Sequence, residues 1–459
     1  MAEAHSEGMI RDLTEGKVSK QLLMFAGPLL LSGLLQTVYN MVDMIVVGRF
    51  VGKTGLSAVS IGGDILQILT FAAMGFSNAG QILISQYIGA GKRHLIQKMI
   101  GTLFSFLFVC AVVMTVICLA VQNQLLMLIH TPREAWADTA GYMSTCICGL
   151  VFIYGYNLVS AILRGMGDSR HPLMFIAIAS VCNVILDLLF VGGCGMGTFG
   201  AALATVIGQA VSFLCAVVIL YRSRESFGFD FKRESFRIYP EVFGPLLALG
   251  IPMMIQSAAI TFSKLFVNAQ INSYGVVVSA VSGIGTKLDS FTNVITQAVS
   301  AAGSTMIAQN LGAGKYRRIT EILKISFLVN GVIILMMAVP TVFAPGLVFG
   351  LFTNDAEVLA LALTYVPVAV VLYAGCILRP PMFSLINGSG NTKLNLAVAV
   401  LDGILVRIGL AMVLGVVCGL GVYGFWFGSA FSGFVPFLIG AVYYVSGTWK
   451  GNRGAAGKG

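Results

Sequence analysis

Two stretches of the chain, QYIGAGKRHLIQKM at 86–99 and QNLGAGKYRRITEI at 309–322, match each other at an offset of 223 in the numbering. LRGMGDSRHPL from 163 matches INGSGNTKLNL from 386 at the same offset. GMGTFGAAL from 195 matches GLGVYGFWF from 419, and Pro28 matches Pro252, each at an offset of 224. Four pairs that keep their order and spacing indicate an internal duplication, so the fold is expected to consist of two similar halves.

The composition places these halves in a membrane. The 459 residues are 57% hydrophobic and 10% charged, and the mean hydropathy is +0.90. Soluble proteins are about 45–50% apolar and about 25% charged, so a soluble fold has no place for this surplus. The 54 glycines suit close helix contacts in lipid. The nine cysteines are interpreted as small buried hydrophobic residues rather than disulfides or metal ligands.

Apolar runs of about 20 residues, the length that crosses a bilayer, predict an all-α polytopic membrane protein with twelve transmembrane helices. The predicted spans, numbered one to twelve in chain order, are 21–47, 57–86, 99–122, 138–162, 172–192, 199–221, 243–271, 277–308, 322–344, 357–385, 394–418 and 421–446. They form an N-lobe (21–222, spans one to six) and a C-lobe (243–446, spans seven to twelve). A tail (1–20), a linker (223–242) and a second tail (447–459) complete the chain.

The basic residues predict the orientation. With both tails and the even-numbered junctions on one side, that side holds 21 Lys and Arg residues and the opposite loops hold three. The positive-inside rule therefore puts both termini in the cytoplasm of a multi-pass plasma-membrane protein. Because each half has six spans, the repeat is expected to be parallel, with a substrate path between the lobes. The charge of +9 is assigned to these loops, and nucleic acid is not expected as a partner.

Asp43 is an ionisable side chain inside span one, about 9 Å below Arg49 by helical rise. Tyr39 and Asn40 lie four and three residues earlier and share its face. A carboxylate in hydrocarbon costs about 2.5–3.5 kcal/mol even on insertion scales, which makes a functional role the default interpretation.

Three more polar residues lie at a similar depth in the same lobe. Asn183 and Asp187 are four residues apart on one face of span five, and Thr205 lies in span six. Two nearby carboxylates can hold a proton between them, and carboxylate, amide and hydroxyl oxygens can coordinate a hard cation such as Na⁺. The structural alternative is that the Asn and Thr only hydrogen-bond across a helix interface.

The segment LQTVYNMVDMIVVGRFVG at 35–52, the paired GAGK sequences and the six-plus-six plan resemble the MATE (multidrug and toxic compound extrusion) family of transporters. The resemblance covers about residues 15–446. It implies a V-shaped, two-lobed protein that exports organic, often cationic compounds while H⁺ or Na⁺ enters.

The resemblance also implies a cation site. In the archaeal and DinF-like bacterial branch of the family, this site uses an Asp in span one, an Asn and an Asp one turn apart in span five, and a Thr in span six. Asp43, Asn183, Asp187 and Thr205 match these positions. Asn157 in span four resembles a neighbouring polar position but lies deeper. No metal is expected beyond Na⁺ at the four matched residues.

The C-lobe departs from members of the family that carry acids in spans seven and ten. Span seven has no acid, Lys264 aligns with Asn40 and Val267 replaces Asp43. In one interpretation, Lys264 or Arg407 neutralises Asp289 or Asp402 inside the lobe. In the other, a charge that lines the cavity shapes substrate preference.

The remaining candidates concern the substrate and the moving parts. Gln36, Tyr39, Asn40 and Lys264 are candidate cavity residues. Pro28 is predicted to bend span one, and Pro380–Pro381 to break span ten.

The sequence therefore predicts a secondary active antiporter for small organic molecules that works by alternating access in the lipid bilayer, is driven by H⁺ or Na⁺, and functions as a monomer. Nothing resembles a P-loop, and the chain is expected to be neither an enzyme nor a cofactor-binding protein. The alternatives are a lipid or lipid-linked-precursor flippase of the wider superfamily and a passive channel.

Overall fold

The computed structural model describes residues 10–129 and 131–451. Over these ranges the chain is helical and contains no β-strand, which confirms the predicted fold class. Residues 1–9 and 452–459 of the two predicted tails, and residue 130, lie outside the described residues.

Each of the twelve predicted spans corresponds to a helix or to a short series of helices. In the N-lobe they are Val18–Phe50, Lys53–Gly89, Arg93–Ala120, Trp136–Cys148 with Leu150–Gly165, Arg170–Asp187 with the π-helical Leu188–Gly193, and Gly197–Arg222. In the C-lobe, spans seven to ten are Pro240–Asn272, Val276–Gly312, Tyr316–Phe343 and Ala356–Gly388. Span eleven comprises Thr392–Val400, Leu401–Val406, Arg407–Met412 and Val413–Val417, and span twelve comprises Val422–Ser432 and Val435–Ser446.

The lengths and compositions of these helices suit a membrane. Among the described residues, ten helices are long and apolar enough to cross a bilayer, and an eleventh is obtained if span four, bent by 49° at Gly149, is one crossing. Val276–Gly312, at the position of span eight, has 37 residues and is long enough to cross. It also contains Lys287 and Asp289, and the carboxylate of Asp289 is paired with Lys264.

The backbone repeats with the sequence. Glycines with positive φ, a region open mainly to glycine, recur at the ends of matching helices. The pairs are Gly52 and Gly275, Gly91 and Gly314, Gly167 and Gly390, Gly195 and Gly419, and Gly197 and Gly421. A π-helical turn closes span five at Leu188–Gly193 and span eleven at Val413–Val417. The duplication therefore extends from sequence to local conformation.

The described residues form two compact units. One contains residues 10–12, 31–88 and 92–250, and the other contains 13–30, 89–91 and 251–451. The division crosses span one between Leu30 and Leu31, so its first half belongs with the C-lobe spans. The first unit has an apolar cluster that includes Val46, Val47 and Val191, and Asp43 and Asp187 are close to these residues in the sequence.

The prolines interrupt the helices less than the sequence suggests. The prediction that Pro380–Pro381 breaks span ten is wrong, because Ala356–Gly388 is one continuous helix that contains both prolines and Pro367. Close packing of Ala356–Gly388 against Val276–Gly312 accompanies this continuity; for example, Ser384 Oγ donates to Ser300 O. Span one is likewise a continuous helix through Pro28.

Candidate cation site in the N-lobe

Three of the four predicted cation-site residues are buried in the first unit. Asp43 is 7% exposed, Asn183 3% and Asp187 0%, while Thr205 is half-buried. The charges of Asp43 and Asp187 are close enough to interact. Spans one, five and six therefore bring two carboxylates, an amide and a hydroxyl into one buried region, as the sequence predicts.

The oxygens of this region have few partners. Asp43 Oδ1, Asn183 Oδ1 and both carboxylate oxygens of Asp187 are buried without a hydrogen-bond partner among the described residues. Buried polar atoms in proteins are nearly always hydrogen-bonded, and a buried charge needs a counter-charge. A proton or a small cation would satisfy these oxygens, and oxygen-rich donor sets suit Na⁺.

Close packing of spans five and six positions the amide. Asn183 Nδ2 donates to Thr205 Oγ1 at 3.4 Å, which turns the carbonyl oxygen of Asn183 away from this bond. Gly208 lies one turn after Thr205, and a Cβ at this position would lie 3.1 Å from Ala179 O. A glycine here lets the two helices approach closely enough for the Asn183–Thr205 contact.

Asp187 is the last residue of the regular helix of span five. The next residues, Leu188–Gly193, form a π-helical turn in which Cys194 N donates to Leu189 O at 2.8 Å. Such turns are rare and occur frequently at functional sites. Asp187 therefore lies at the junction where the backbone changes from α-helical to π-helical hydrogen bonding.

The predicted cavity residues of span one lie beside this region. Tyr39 interacts with the amides of Gln36 and Gln209 and with the charge of Asp43. Gln36 and Asn40 are exposed, and no hydrogen bond joins Asn40 to the carboxylates in the described residues. Gln209, which sequence reasoning missed, follows Thr205 by four residues, so the helical period of span six could have identified it.

Asn157 stands apart from the four residues. Its Nδ2 donates to Ile153 O at 2.8 Å within its own helix, and the described residues give it no hydrogen bond to the cluster. Tyr142 and Cys146, in the first half of span four, instead lie near Asp43 and pack with Val46 and Val47 in one apolar cluster. Sequence reasoning missed both because neither residue type marks an ion site.

In the C-lobe, ion pairs neutralise Asp289 and Asp402, the two acids that lie well inside the spans. Lys264 Nζ lies 2.7 Å from Asp289 Oδ2, and Arg407 Nη2 lies 3.0 Å from Asp402 Oδ1. Arg379 Nη2 is 3.7 Å from Asp402 Oδ2. The pairing interpretation of the sequence is therefore correct for Lys264 and Arg407, and Arg379 is an additional partner. In the parts of the chain that the structure describes, no group of three or more His, Cys, Asp or Glu residues could hold a metal.

The family model of MatE matches residues 28–189 and again 252–413, one segment in each half of the chain. This chain belongs to the MatE family. The repeat found in the sequence is thus the repeat of the family. The first segment contains Asp43, Asn183 and Asp187, whereas Thr205 in span six lies beyond its end.

Other MatE proteins extend the comparison. The chain is 30% identical over 308 residues to the "Probable multidrug resistance protein YpnP" of Bacillus subtilis, covering 67% of this chain and 68% of that protein. It is 29% identical over 354 residues to the "Probable multidrug resistance protein YoeA" of the same organism, covering 75% and 76%. The "Multidrug export protein MepA" of Staphylococcus saprophyticus is 23% identical over 76% of each chain.

Solved MATE structures share the fold. A crystal structure of MATE in the bent conformation has a TM-score of 0.87 at 20% identity and covers 97% of this chain and 98% of its own. A structure in the straight conformation has a TM-score of 0.86 at 19% identity and covers 98% and 99%. As a MatE protein, the chain is a multi-pass membrane transporter, and its relatives are named as multidrug resistance or multidrug export proteins.

Proposed function

We propose that this MatE protein is a secondary active antiporter that exports organic, often cationic compounds across the plasma membrane while H⁺ or Na⁺ enters. The observation that carries the proposal is the pair of buried carboxylates, Asp43 and Asp187, whose unpartnered oxygens lie in one region of the N-lobe. Two buried acids without counter-charges are costly in the absence of a cation, so their retention is best explained by cation binding.

In this proposal Asp43 and Asp187 bind the coupling ion, and Asn183 and Thr205 contribute oxygens. Asn157 has a supporting place at most, because its amide is bonded within its own helix. Ion binding removes the repulsion between the two carboxylates and so favours one arrangement of span one relative to spans five and six. A substrate that binds the other arrangement more tightly is then released when the ion enters, which couples the two fluxes by alternating access.

Tyr39, Gln36 and Asn40 are proposed as substrate contacts, because Tyr39 interacts with Asp43 while the other two are exposed. A substrate at these residues would sense the state of the ion site directly. We also propose Pro28 as the bending point of span one. It lacks the N–H that would bond to Met24 O, and the boundary between the compact units falls two residues later.

The orientation of the chain and its oligomeric state are also part of the proposal. The asymmetry of 21 basic residues to three favours cytoplasmic termini. The cation site and the candidate substrate residues all belong to one chain, so a monomer contains every group that the mechanism uses.

Reconstitution in proteoliposomes tests this function. Purified protein is given a fluorescent organic cation, and uphill accumulation is measured under a proton gradient alone and under a sodium gradient alone. We expect one gradient to drive accumulation, and Asp43→Asn or Asp187→Asn to abolish it while leaving the amount of reconstituted protein unchanged. Asp138→Asn, an acid at the outer end of span four, is the matched control and should transport normally.

Three results would contradict the proposal. Full coupled transport in both Asp→Asn variants would remove these residues from the site. Movement that only equilibrates the dye, whichever gradient is imposed, would identify a passive channel. Movement of fluorescent lipid without movement of the dye would identify a flippase.

A further inference from the structure

A cavity with an empty volume of about 720 Å³, open to solvent, lies within the second compact unit. Lys264, Asp289, Arg379 and Arg407 are the charged residues of its wall, and Phe383 and Leu372 are among the apolar ones. Ligand pockets typically combine apolar walls with a few polar groups. The wall of this open cavity has that chemistry, with four charged side chains beside apolar ones.

The charges of this cavity do not balance. Lys264 is paired with Asp289 at 2.7 Å, so these two charges cancel. Asp402 is shared by two guanidinium groups, at 3.0 Å from Arg407 and 3.7 Å from Arg379. Three cations thus face two carboxylates among the described residues, and one positive charge is in excess. At 3.7 Å, the contact of Arg379 with Asp402 is longer than a charge-assisted hydrogen bond of about 2.7–2.9 Å. The guanidinium of Arg379 therefore keeps N–H donors that can bind a further acceptor.

A second observation points in the same direction. The Arg407 side chain is 4% exposed, and its Nε is buried without a hydrogen-bond partner among the described residues. A buried donor of a charged group that lacks an acceptor is costly, and such atoms in proteins call for an explanation. Asp402 Oδ2 is also buried without a hydrogen-bond partner among the described residues, and its nearest cation is Arg379 at 3.7 Å. Arg407 lies on the wall of the cavity, so an acceptor bound there is placed to supply the partner that its Nε lacks.

The internal repeat makes residues of this cavity the C-lobe counterparts of residues in the candidate cation site. At the offset of 224, Asn183 corresponds to Arg407 and Thr205 to Ser429. The contact is preserved, since Asn183 Nδ2 donates to Thr205 Oγ1 at 3.4 Å and Arg407 Nη1 donates to Ser429 Oγ at 3.2 Å. The same offset replaces both acids of the cation site with apolar residues.

Those replacements are Val267 for Asp43 and Ala411 for Asp187, and Lys264 stands in the place of Asn40. The C-lobe counterpart of the cation site has therefore lost both acids and gained two cations, which Asp289 and Asp402 pair. With Arg379 beside them the region has one positive charge in excess, which is the chemistry to bind an anion.

We propose that this C-lobe cavity is a subsite for an anionic group, a carboxylate or a phosphate ester, carried by an amphiphilic organic substrate. Arg379 provides the charge, Arg407 and Lys264 line the same wall, and Phe383, whose ring centre is 5.9 Å from Arg379, helps to fix the guanidinium. A guanidinium binds such groups through two parallel hydrogen bonds. The subsite extends the proposed export function to organic acids and zwitterions. Transport of such compounds depends on the proposed function, whereas their binding to the cavity does not.

The test uses two dyes that differ in one group: a cationic rhodamine ethyl ester and its zwitterionic free acid. Binding of each to the purified full-length protein in detergent is measured by fluorescence anisotropy. We expect the free acid to bind about tenfold more tightly than the ester, the factor that one added charge-assisted hydrogen bond supplies. Arg379→Gln should remove this preference, Arg379→Lys should retain part of it, and the exposed Arg222→Gln should leave it unchanged.

Equal affinities for the two dyes, no measurable binding of the free acid, or a preference that persists in Arg379→Gln would each overturn the subsite. If Arg379→Gln loses the preference, misfolding is excluded as the cause when the variant elutes as a single monodisperse peak in size-exclusion chromatography and still binds the ester. Asp43→Asn separates the two proposals, because it should abolish coupled transport and keep the preference for the free acid. Loss of that preference in Asp43→Asn would also overturn the assignment to the C-lobe cavity.

Discussion

Arg407 occupies in span eleven the position that Asn183 occupies in span five of the first repeat. Each contacts the hydroxyl of the residue 22 positions later, Ser429 or Thr205. Gene duplication thus preserved the helix contact and changed the charge. We propose the N-lobe as the site of the coupling ion because, among the described residues, Asp43 and Asp187 have buried oxygens without partners, whereas ion pairs in the C-lobe hold Asp289 and Asp402.

The first prediction concerns the stability of the cation site. Asp187 is fully buried and neither of its carboxylate oxygens has a hydrogen-bond partner in the described residues. Asp187→Leu removes this buried polar group, and we expect it to stabilise the protein by about 1–3 kcal/mol, the typical desolvation penalty of such a group. Thermal unfolding of purified protein in detergent, without added Na⁺, measures the change.

The same variant should not transport, since stability and function are opposed at a site of this kind. Asp187→Asn keeps a polar group without a partner and is the matched control, with an unfolding temperature near that of the wild type at neutral pH. A lower unfolding temperature for Asp187→Leu would show that the carboxylate is satisfied in the folded protein.

A second prediction concerns Asp402, which holds two arginines. Asp402→Asn leaves Arg407, 4% exposed, without its counter-charge, and we expect a loss of about 3–5 kcal/mol, as when one partner of a buried ion pair is removed. Removing the second partner as well, in Asp402→Asn with Arg407→Leu, should restore part of this loss. The unfolding temperatures of the two single variants and the double variant measure the coupling, and additive effects would argue against a buried pair. Glu357→Gln, an exposed acid at the start of span ten, should change little.

A third prediction concerns Asp168, which precedes span five and lies outside the spans. Its Oδ1 accepts from the N–H groups of Arg170 at 2.9 Å and His171 at 3.3 Å, and its Oδ2 contacts His171 Nδ1. Burial by itself raises the pKa of this carboxyl. The hydrogen bonds with His171 and the Arg170 N–H outweigh that effect and hold the pKa below its usual value.

A lowered pKa in the folded protein means that the ionised Asp168 contributes stability above its unfolded pKa of about 3.9 and loses it as the pH falls through the folded value. Asp168→Asn should therefore be less stable than the wild type at pH 7 by about 1.5–3 kcal/mol, as for one charged hydrogen bond. The difference should disappear in acid. Asparagine keeps the capping function, as Asn391 shows at the matching position by accepting from Leu394 N at 3.1 Å. A difference that is independent of pH would contradict an electrostatic origin.

The fold is largely predictable because its signals are local and repeated. Apolar runs place spans one to twelve, and the offset of GAGK between 89–92 and 312–315 pairs the lobes. The prediction for Pro380–Pro381 fails because sequence shows the lost hydrogen bonds but not the packing of span ten against Val276–Gly312. The first half of span one joins the C-lobe unit because of tertiary contacts, which hydropathy does not contain.

The candidate site is predictable where an ionisable side chain is costly in lipid. Asp43 and Asp187 stand out for that reason, whereas Tyr142 and Cys146 do not, since they are ordinary residues of a buried helix. The excess charge of Arg379 cannot be counted from sequence either. It depends on Asp402 being shared with Arg407, a contact between spans ten and eleven that only the structure supplies.

The last prediction concerns Gly208, which sets the distance between spans five and six. An added Cβ at this position would lie 3.1 Å from Ala179 O and 3.5 Å from Asn183 Cβ, so a larger residue pushes on the backbone of span five. We expect Gly208→Val to destabilise the protein by about 1–3 kcal/mol, the usual effect of overpacking, and to weaken coupled transport by separating Asn183 from Thr205. Gly63→Val in span two is the matched control, because a Cβ there would have nothing within 4 Å while the change in helix propensity is the same. Unfolding temperatures of the two variants isolate the packing effect, and equal losses would mean that the close approach of spans five and six is not what Gly208 provides.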